Sequence, residues 1–362
     1  MTWIKQTKKY WLVLIAVFMA WLFLRQDAFL YTNPVGQVTE VSERKTQKIT
    51  DEHNNTDFIM TQQLTVRLLN HDKKAIKVTN SYAQSQIITN KYRVGDQLLL
   101  EKIASNIHIL SLKRDAVVGA LATLLIGLLL IYSKWRATSW LLMSLMVNIM
   151  LFGLALFINV HSKDANVFLL FSVLAILFAT ASLALVLGKT LQMGLTLLTT
   201  LITTTLTIGL LLVVLRLTNN AGVHFETMAY VTQVPETLFM AQTIIGVLGA
   251  VMDEAADIVA MHFGMRREGA TKHFGDYWYA GMSVGREIMG TLINVLFMIF
   301  IAETMPMVFL MLRNGNQWTY ILDQIMNLGI LQTVISGIGI VLAVPVTSAI
   351  VSWILARKVI TL

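Results

Sequence analysis

Residues 246–263 read GVLGAVMDEAADIVAMHF, a run of apolar and small residues that carries Asp253, Glu254 and Asp257. Apolar runs of lipid-spanning length lie on both sides of it, so this stretch reads as a membrane-spanning helix. An aspartate at the centre of such a helix costs about 2.5–3.5 kcal/mol on insertion scales. Acids there face a bundle interior or a wet cavity, and they mark ion, proton or substrate pathways.

Working outward, the 362-residue chain is 56% hydrophobic and only 14% charged, well below the roughly 25% charged residues of soluble domains. The sequence predicts an α-helical polytopic membrane protein with about eight transmembrane helices. The spans are expected near 10–27, 115–133, 138–160, 166–187, 191–215, 238–263, 287–312 and 328–355. With the N-terminus inside, the short inner segments hold Lys5, Lys8, Lys9, Lys134, Arg136, Lys189, Arg266, Arg267, Lys272, Arg286, Arg357 and Lys358. The short outer loops hold Lys163, Arg216 and Arg313. The positive-inside rule then gives an N-in, C-in topology. The net charge of +7 serves that orientation, and no nucleic-acid partner is expected. Residues 1–27 read as a retained anchor, because no small-x-small cleavage site follows the apolar run.

Between the first two spans, residues 28–114 are polar and alternate as strands do. Gly36–Val41, Leu64–Leu68 and Ile107–Leu112 fit period two, Gln97–Leu100 follows the turn at Gly95-Asp96, and Asn54-Asn55 and Asn70-His71-Asp72 read as turns. A small all-β extracytoplasmic domain of five to six short strands, a barrel or a sandwich, is expected, followed by a seven-helix transmembrane domain over 115–362. Asn54-Asn55-Thr56 also forms a glycosylation sequon, of consequence only in a eukaryotic secretory route.

Gln242, Gly246, Gly249, Asp253 and Asp257 are spaced 4, 3, 4 and 4 and share one helix face. Small residues there let a neighbouring helix approach, and two carboxylates at i, i+4 can share a proton or a cation. Glu254 points about 100° away, toward another helix. In the next span Glu287, Gly290, Thr291 and Asn294 share a face behind Arg286, the nearest evident partner for an aspartate. Gly246, Gly249 and Gly290 are expected as helix-packing positions. Gln332, Ser336, Gly339 and Ala343 form a milder stripe in the eighth span, where Pro345 is positioned to kink the helix. Thr196, Thr200, Thr203 and Thr207 share a face of the fifth, which reads as packing. Arg266–Gly285 mixes charge with aromatic residues and suits a short interfacial helix.

Several chemistries are absent. Zero cysteines exclude disulfides and thiolate sites. There is no Walker A motif, no H-E-x-x-H and no Cys/His cluster, so no cofactor is expected and no metal is assigned. Gly281-Met-Ser-Val-Gly285 matches a nucleophile-elbow pattern, but that pattern needs a strand–turn–helix. The chain is not expected to be an enzyme.

The run GVLGAVMDEAADI, followed by VGREIMGTLINVLFM and Met305-Pro306, resembles the YibE/F-like family of bacterial multi-pass membrane proteins. Asp253, Arg286, Glu287, Gly290, Asn294 and Pro306 carry the likeness, with Glu287 where the family more usually has Asp. It spans most of 115–355, and the Tyr92–Asp96 hairpin of the outer domain resembles the family's long members. The resemblance implies a bacterial cytoplasmic membrane location and a shorter paralogous membrane subunit as partner. It supplies no substrate. The expected function is a transporter or permease, exporter-like, with a polar site on helices six to eight and a proton or cation held by its acids. The rival is a non-transporting scaffold or sensor whose outer domain binds a protein.

Overall fold

The computed structural model describes residues 2–50, 56–70, 74–86, 89–103, 106–162, 166–228, 234–268 and 273–357. It divides into two units, Met1–Thr138 and Ser139–Leu362.

The first unit holds helix α1 (Thr2–Gln26), a β-sheet and helix α2 (Asp115–Tyr132). The strands are β1 (Val35–Thr50), β2 (Thr56–Leu68), β3 (Ala75–Ala83), β4 (Gln97–Ile103) and β5 (Asn106–Leu112). They form one antiparallel sheet in the order β3-β2-β1-β4-β5. Alternation at Val38, Leu64, Val66, Leu68 and Val78 drives one face inward, where these residues pack with Tyr92, Leu98 and Leu100. The turn before β4 closes on Gly95 (φ +96°), with the Arg93 amide donating to Asp96 Oδ2 at 2.7 Å. A Cβ on Gly119 would collide with Leu24 and one on Gly127 would fall 2.5 Å from Val13, so α1 and α2 meet at these glycines. Lys113, buried beside the start of α2, bridges Asp27 at 2.7 Å and Asp115 at 2.9 Å.

This unit differs from expectation in one way: β1 is 16 residues long rather than short. Beyond Val41 the strand reads SERKTQKIT, with one apolar residue to bury. Its outer half therefore pairs with β2 while staying exposed. The turns expected at Asn54-Asn55 and His71-Asp72 lie outside the described residues, as do Lys163, Lys272 and Lys358.

The second unit is helical: α3 (Trp135–His161, mostly in this unit), α4 (Val167–Leu187), α5 (Leu191–Leu217), α6 (Pro235–Arg267), α7 (Phe274–Arg313) and α8 (Asn327–Arg357). Local signals set the ends. Asn166 caps α4 by accepting from the Leu169 amide at 3.1 Å, and Thr190 caps α5 through the Met193 amide at 3.1 Å. Pro235 opens α6. A turn of π-helix, Ile321–Met326, leads into α8, which continues through Pro345. The core joins α4, α5, α6 and α8 around Leu211, Phe239, Val247, Val251 and Ala343.

Seven helices are long and apolar enough to cross a membrane among the described residues. The expected sixth span is present as α6, with ample length at 33 residues, but it is not among the seven and is the helix that carries the acids. The segment expected as a separate interfacial helix is not separate. Residues from Phe274 onward run without a break into α7, which reaches 40 residues. Gly281 and Gly285 permit this, because they lie against His262 and Val344 where any side chain would collide.

Candidate functional site

Helix α6 is polar on two faces, and the two have different fates. On the first, Gln242, Asp253 and Asp257 are exposed and Gly246 and Gly249 half-buried. Gln242 Nε2 donates to Gln332 Oε1 at 3.2 Å. A Cβ on Gly246 would sit 3.3 Å from Gln332 Nε2, whereas one on Gly249 meets nothing within 4 Å. On α7, Arg286, Glu287, Gly290, Thr291 and Asn294 are also exposed, and Gly290 faces open space. Of the three glycines expected to admit a neighbouring helix, only Gly246 therefore has one against it. An open groove is lined by Trp278, Tyr279, Met282, Ser283, Arg286 and Glu287. Among the described residues no ion pair joins Arg286 to Asp253, Asp257 or Glu287.

The second face is buried. Val247, Val251, Glu254, Ile258 and His262 are each 0% exposed. Glu254 is the one buried carboxylate of this unit among the described residues, and neither of its oxygens has a hydrogen-bond partner. Its level in the bundle is bracketed by two contacts. On one side a Cβ at Gly339 of α8 would touch Val251 and Val247 of α6 and Thr207 of α5. On the other, Leu195 of α5, Val259 of α6 and Val351 of α8 pack together. Between these limits lie Thr199, Thr200 and Thr203 on α5 and Ala343, Thr347 and Ser348 on α8, all buried. The hydroxyls of Thr200, Thr203, Thr347 and Ser348 have no partner either.

One helical turn beyond Ile258, His262 ties three helices together. Its Nδ1 lies 2.7 Å from the Ile258 carbonyl, and its Nε2 lies 3.0 Å from the Tyr277 carbonyl and 3.3 Å from Ser352 Oγ. The Tyr277 ring stacks on the imidazole, with centroids 5.8 Å apart. Ser283 of the apparent nucleophile motif is exposed in mid-helix, and Gly281 and Gly285 of that motif serve packing. No cluster of three metal-ligating side chains occurs among the described residues.

Sequence reasoning foresaw that Glu254 leaves the Asp253–Asp257 face and offered His262 only as a weak cation ligand beside those acids; it did not place Thr347, Ser348 or Ser352. A signal for His262 was present. Val247, Val251, Glu254, Ile258 and His262 repeat the 4, 3, 4, 4 spacing of the first stripe, shifted by five residues, which rotates it by about 140°.

Residues 121–357 match the model of the YibE/F-like protein family, and residues 29–112 match that of the YibE/F family N-terminal domain. The chain belongs to the YibE/F-like family. The N-terminal match falls on the sheet of this YibE/F-like protein, and the larger match takes in α3 to α8 and most of α2. Comparison with curated proteins and with solved structures gives no match.

Proposed function

We propose that this YibE/F-like protein is a permease-type transporter of the bacterial cytoplasmic membrane, with both termini inside and the sheet outside. The observation that carries this reading is Glu254: a fully buried carboxylate with two unpartnered oxygens at mid-length of the bundle. Burying an ionisable group without a partner costs several kcal/mol, and stability alone gives no reason to keep it. A proton or cation that visits Glu254 supplies the missing partner. The exposed acids, Asp253, Asp257 and Glu287, then serve as the approach.

The test is charge movement in proteoliposomes on a supported membrane. Rapid steps of pH or sodium should displace charge in wild type and fail to do so in Glu254→Gln. Equal currents from both would reject the role of Glu254, and absence of charge movement in wild type would reject ion-coupled transport.

A second reading is favoured by the exposure of Asp253, Asp257, Arg286 and Glu287. Charges on a lipid-facing surface are costly, so this face suits a second membrane subunit, a shorter paralogue included. The protein is then a scaffold or sensor and the stripes are helix glue. Deleting residues 28–114 and replacing Asp253 with Asn separates the two. Function that survives the deletion but not the substitution favours transport.

A further inference from the structure

The threonines of α5 divide into two kinds. Thr196, Thr199 and Thr207 donate to carbonyls of their own helix, at Gln192, Leu195 and Thr203, over 3.0, 2.9 and 2.9 Å. Back-bonding of this sort is the usual resting place of a buried threonine hydroxyl. Thr200 and Thr203 do not make it, although both are 0% exposed. These two lie at the level of Glu254. On α8 the hydroxyls of Thr347 and Ser348, at or next to that level, are also unpartnered. Thr204 is unpartnered too, but it lines an apolar groove shared with α4.

Six buried oxygens on three facing helices therefore lack partners: two from Glu254 and one each from Thr200, Thr203, Thr347 and Ser348. A proton on Glu254 would add a single donor and leave the hydroxyl oxygens as they are. A hard cation is met by oxygen lone pairs, which a carboxylate and a hydroxyl both offer. Charge decides the valence. Asp253 and Asp257 point to the exposed face, so the interior offers one negative charge, which a monovalent ion neutralises. A divalent ion would leave a net charge in a low-dielectric interior, at heavy cost.

We infer that Glu254, Thr200 and Thr203, with Thr347 and Ser348 of α8, form a binding site for one dehydrated monovalent alkali cation. This deepens the transporter reading and rests on it for the cation's role, though not for its binding.

The test is equilibrium binding of radioactive sodium to the purified full-length protein in detergent, with choline chloride holding ionic strength. Wild type should bind one sodium per chain, displaced by unlabelled sodium or lithium but not by choline. Glu254→Gln should weaken binding at least tenfold, and so should the double variant Thr200→Val, Thr203→Val, which keeps the carboxylate and the helix shape. Thr205→Val, at an exposed threonine of the same helix whose hydroxyl already donates to the Leu201 carbonyl, should bind as wild type does. Failure of wild type to bind sodium, lithium or potassium overturns the inference. So does binding that survives Glu254→Gln and is lost in Asp253→Asn, which would move the ion to the exposed face. Binding at Glu254 without charge movement in proteoliposomes would uphold the site and reject transport.

Discussion

His262 on α6 and Ser352 on α8 stand 3.3 Å apart, Nε2 to Oγ, across 90 residues of sequence. The same imidazole reaches the Tyr277 carbonyl of α7 at 3.0 Å. One buried ring thus ties α6, α7 and α8, and α7 has few other anchors: only Tyr277, Gly281, Gly285 and Phe300 of its residues are buried. Replacing His262 by Leu keeps the bulk and strands the groups around it. The expected loss is about 1–3 kcal/mol, the cost of leaving buried polar groups unpaired. Ser352→Ala should cost about 1 kcal/mol. Unfolding of both single variants and the double in detergent checks the contact. If the two losses simply add, His262 and Ser352 are neighbours without coupling.

Glycine positions on α7 separate close approach from mere exposure. A Cβ on Gly285 would fall 2.5 and 2.8 Å from the two γ-methyls of Val344 and 3.1 Å from its Cβ, so the whole branched side chain is in the way. Gly285→Ala should therefore cost about 1–3 kcal/mol by overpacking. Gly290, one turn and a half on, meets nothing within 4 Å. Gly290→Ala should leave stability unchanged or raise it by up to about 1 kcal/mol through helix propensity. Thermal unfolding of the pair in one detergent gives the comparison. A larger loss at Gly290 would mean that a surface not present in the single chain packs there.

In the first unit, Lys113 holds Asp27 and Asp115 together with a side chain only 1% exposed, and its ammonium also donates to the Leu24 carbonyl. Asp27 is 4% exposed and Asp115 27%, so the first pair is shielded and solvent screens the second. Lys113→Met should cost about 3–5 kcal/mol, chiefly through the stranded Asp27. Adding Asp27→Asn should recover part of that loss. Limited proteolysis of the sheet follows both variants. Equal sensitivity of the single and double variants would mean that the charge on Asp27 is not what Lys113 answers.

The helices were legible in the sequence because their apolar runs are long, whereas the caps at Asn166 and Thr190 and the start of α6 at Pro235 come from the structure. The core of the sheet was legible for a similar reason, since Val38, Leu64 and Val66 alternate with polar residues. The outer half of β1 was not, because a strand whose two faces are both exposed carries no alternation. The unbroken start of α7 was missed because charge beside aromatic residues reads as interfacial, while the helix there is set by tertiary contacts at Gly281 and Gly285. For the site, the spacing of Gln242, Asp253 and Asp257 defined a face but not its surroundings. Periodicity gives angles between side chains; it does not say which angle meets protein. The structure puts the aspartates outside and Glu254 inside, and the buried hydroxyls at the level of Glu254 come from α5 and α8, more than 45 residues away in either direction.

The loop before α6 carries a pH-dependent tie. His224 Nδ1 lies 3.0 Å from Glu226 Oε1, and its Nε2 lies 3.2 Å from Asp323 Oδ2 in the turn that leads into α8. With a carboxylate at each ring nitrogen, the imidazolium is the favoured form. The hydrogen bond that His224 donates to Glu226 is the main cause, and the His224 pKa is raised above its ordinary 6.5. The folded value therefore exceeds the unfolded one, so the tie contributes its full stability below about pH 6.5 and loses it as pH rises through the folded pKa. His224→Gln should lower Tm at about pH 6, where the wild-type tie is in place. The gap between variant and wild type should close as pH rises through the folded pKa of His224, above which residue 224 is uncharged in both proteins. Thermal unfolding across that range reads the difference directly. A gap of constant size would show that His224 acts through packing rather than charge, and a gap that widened with pH would reverse the sign of the linkage.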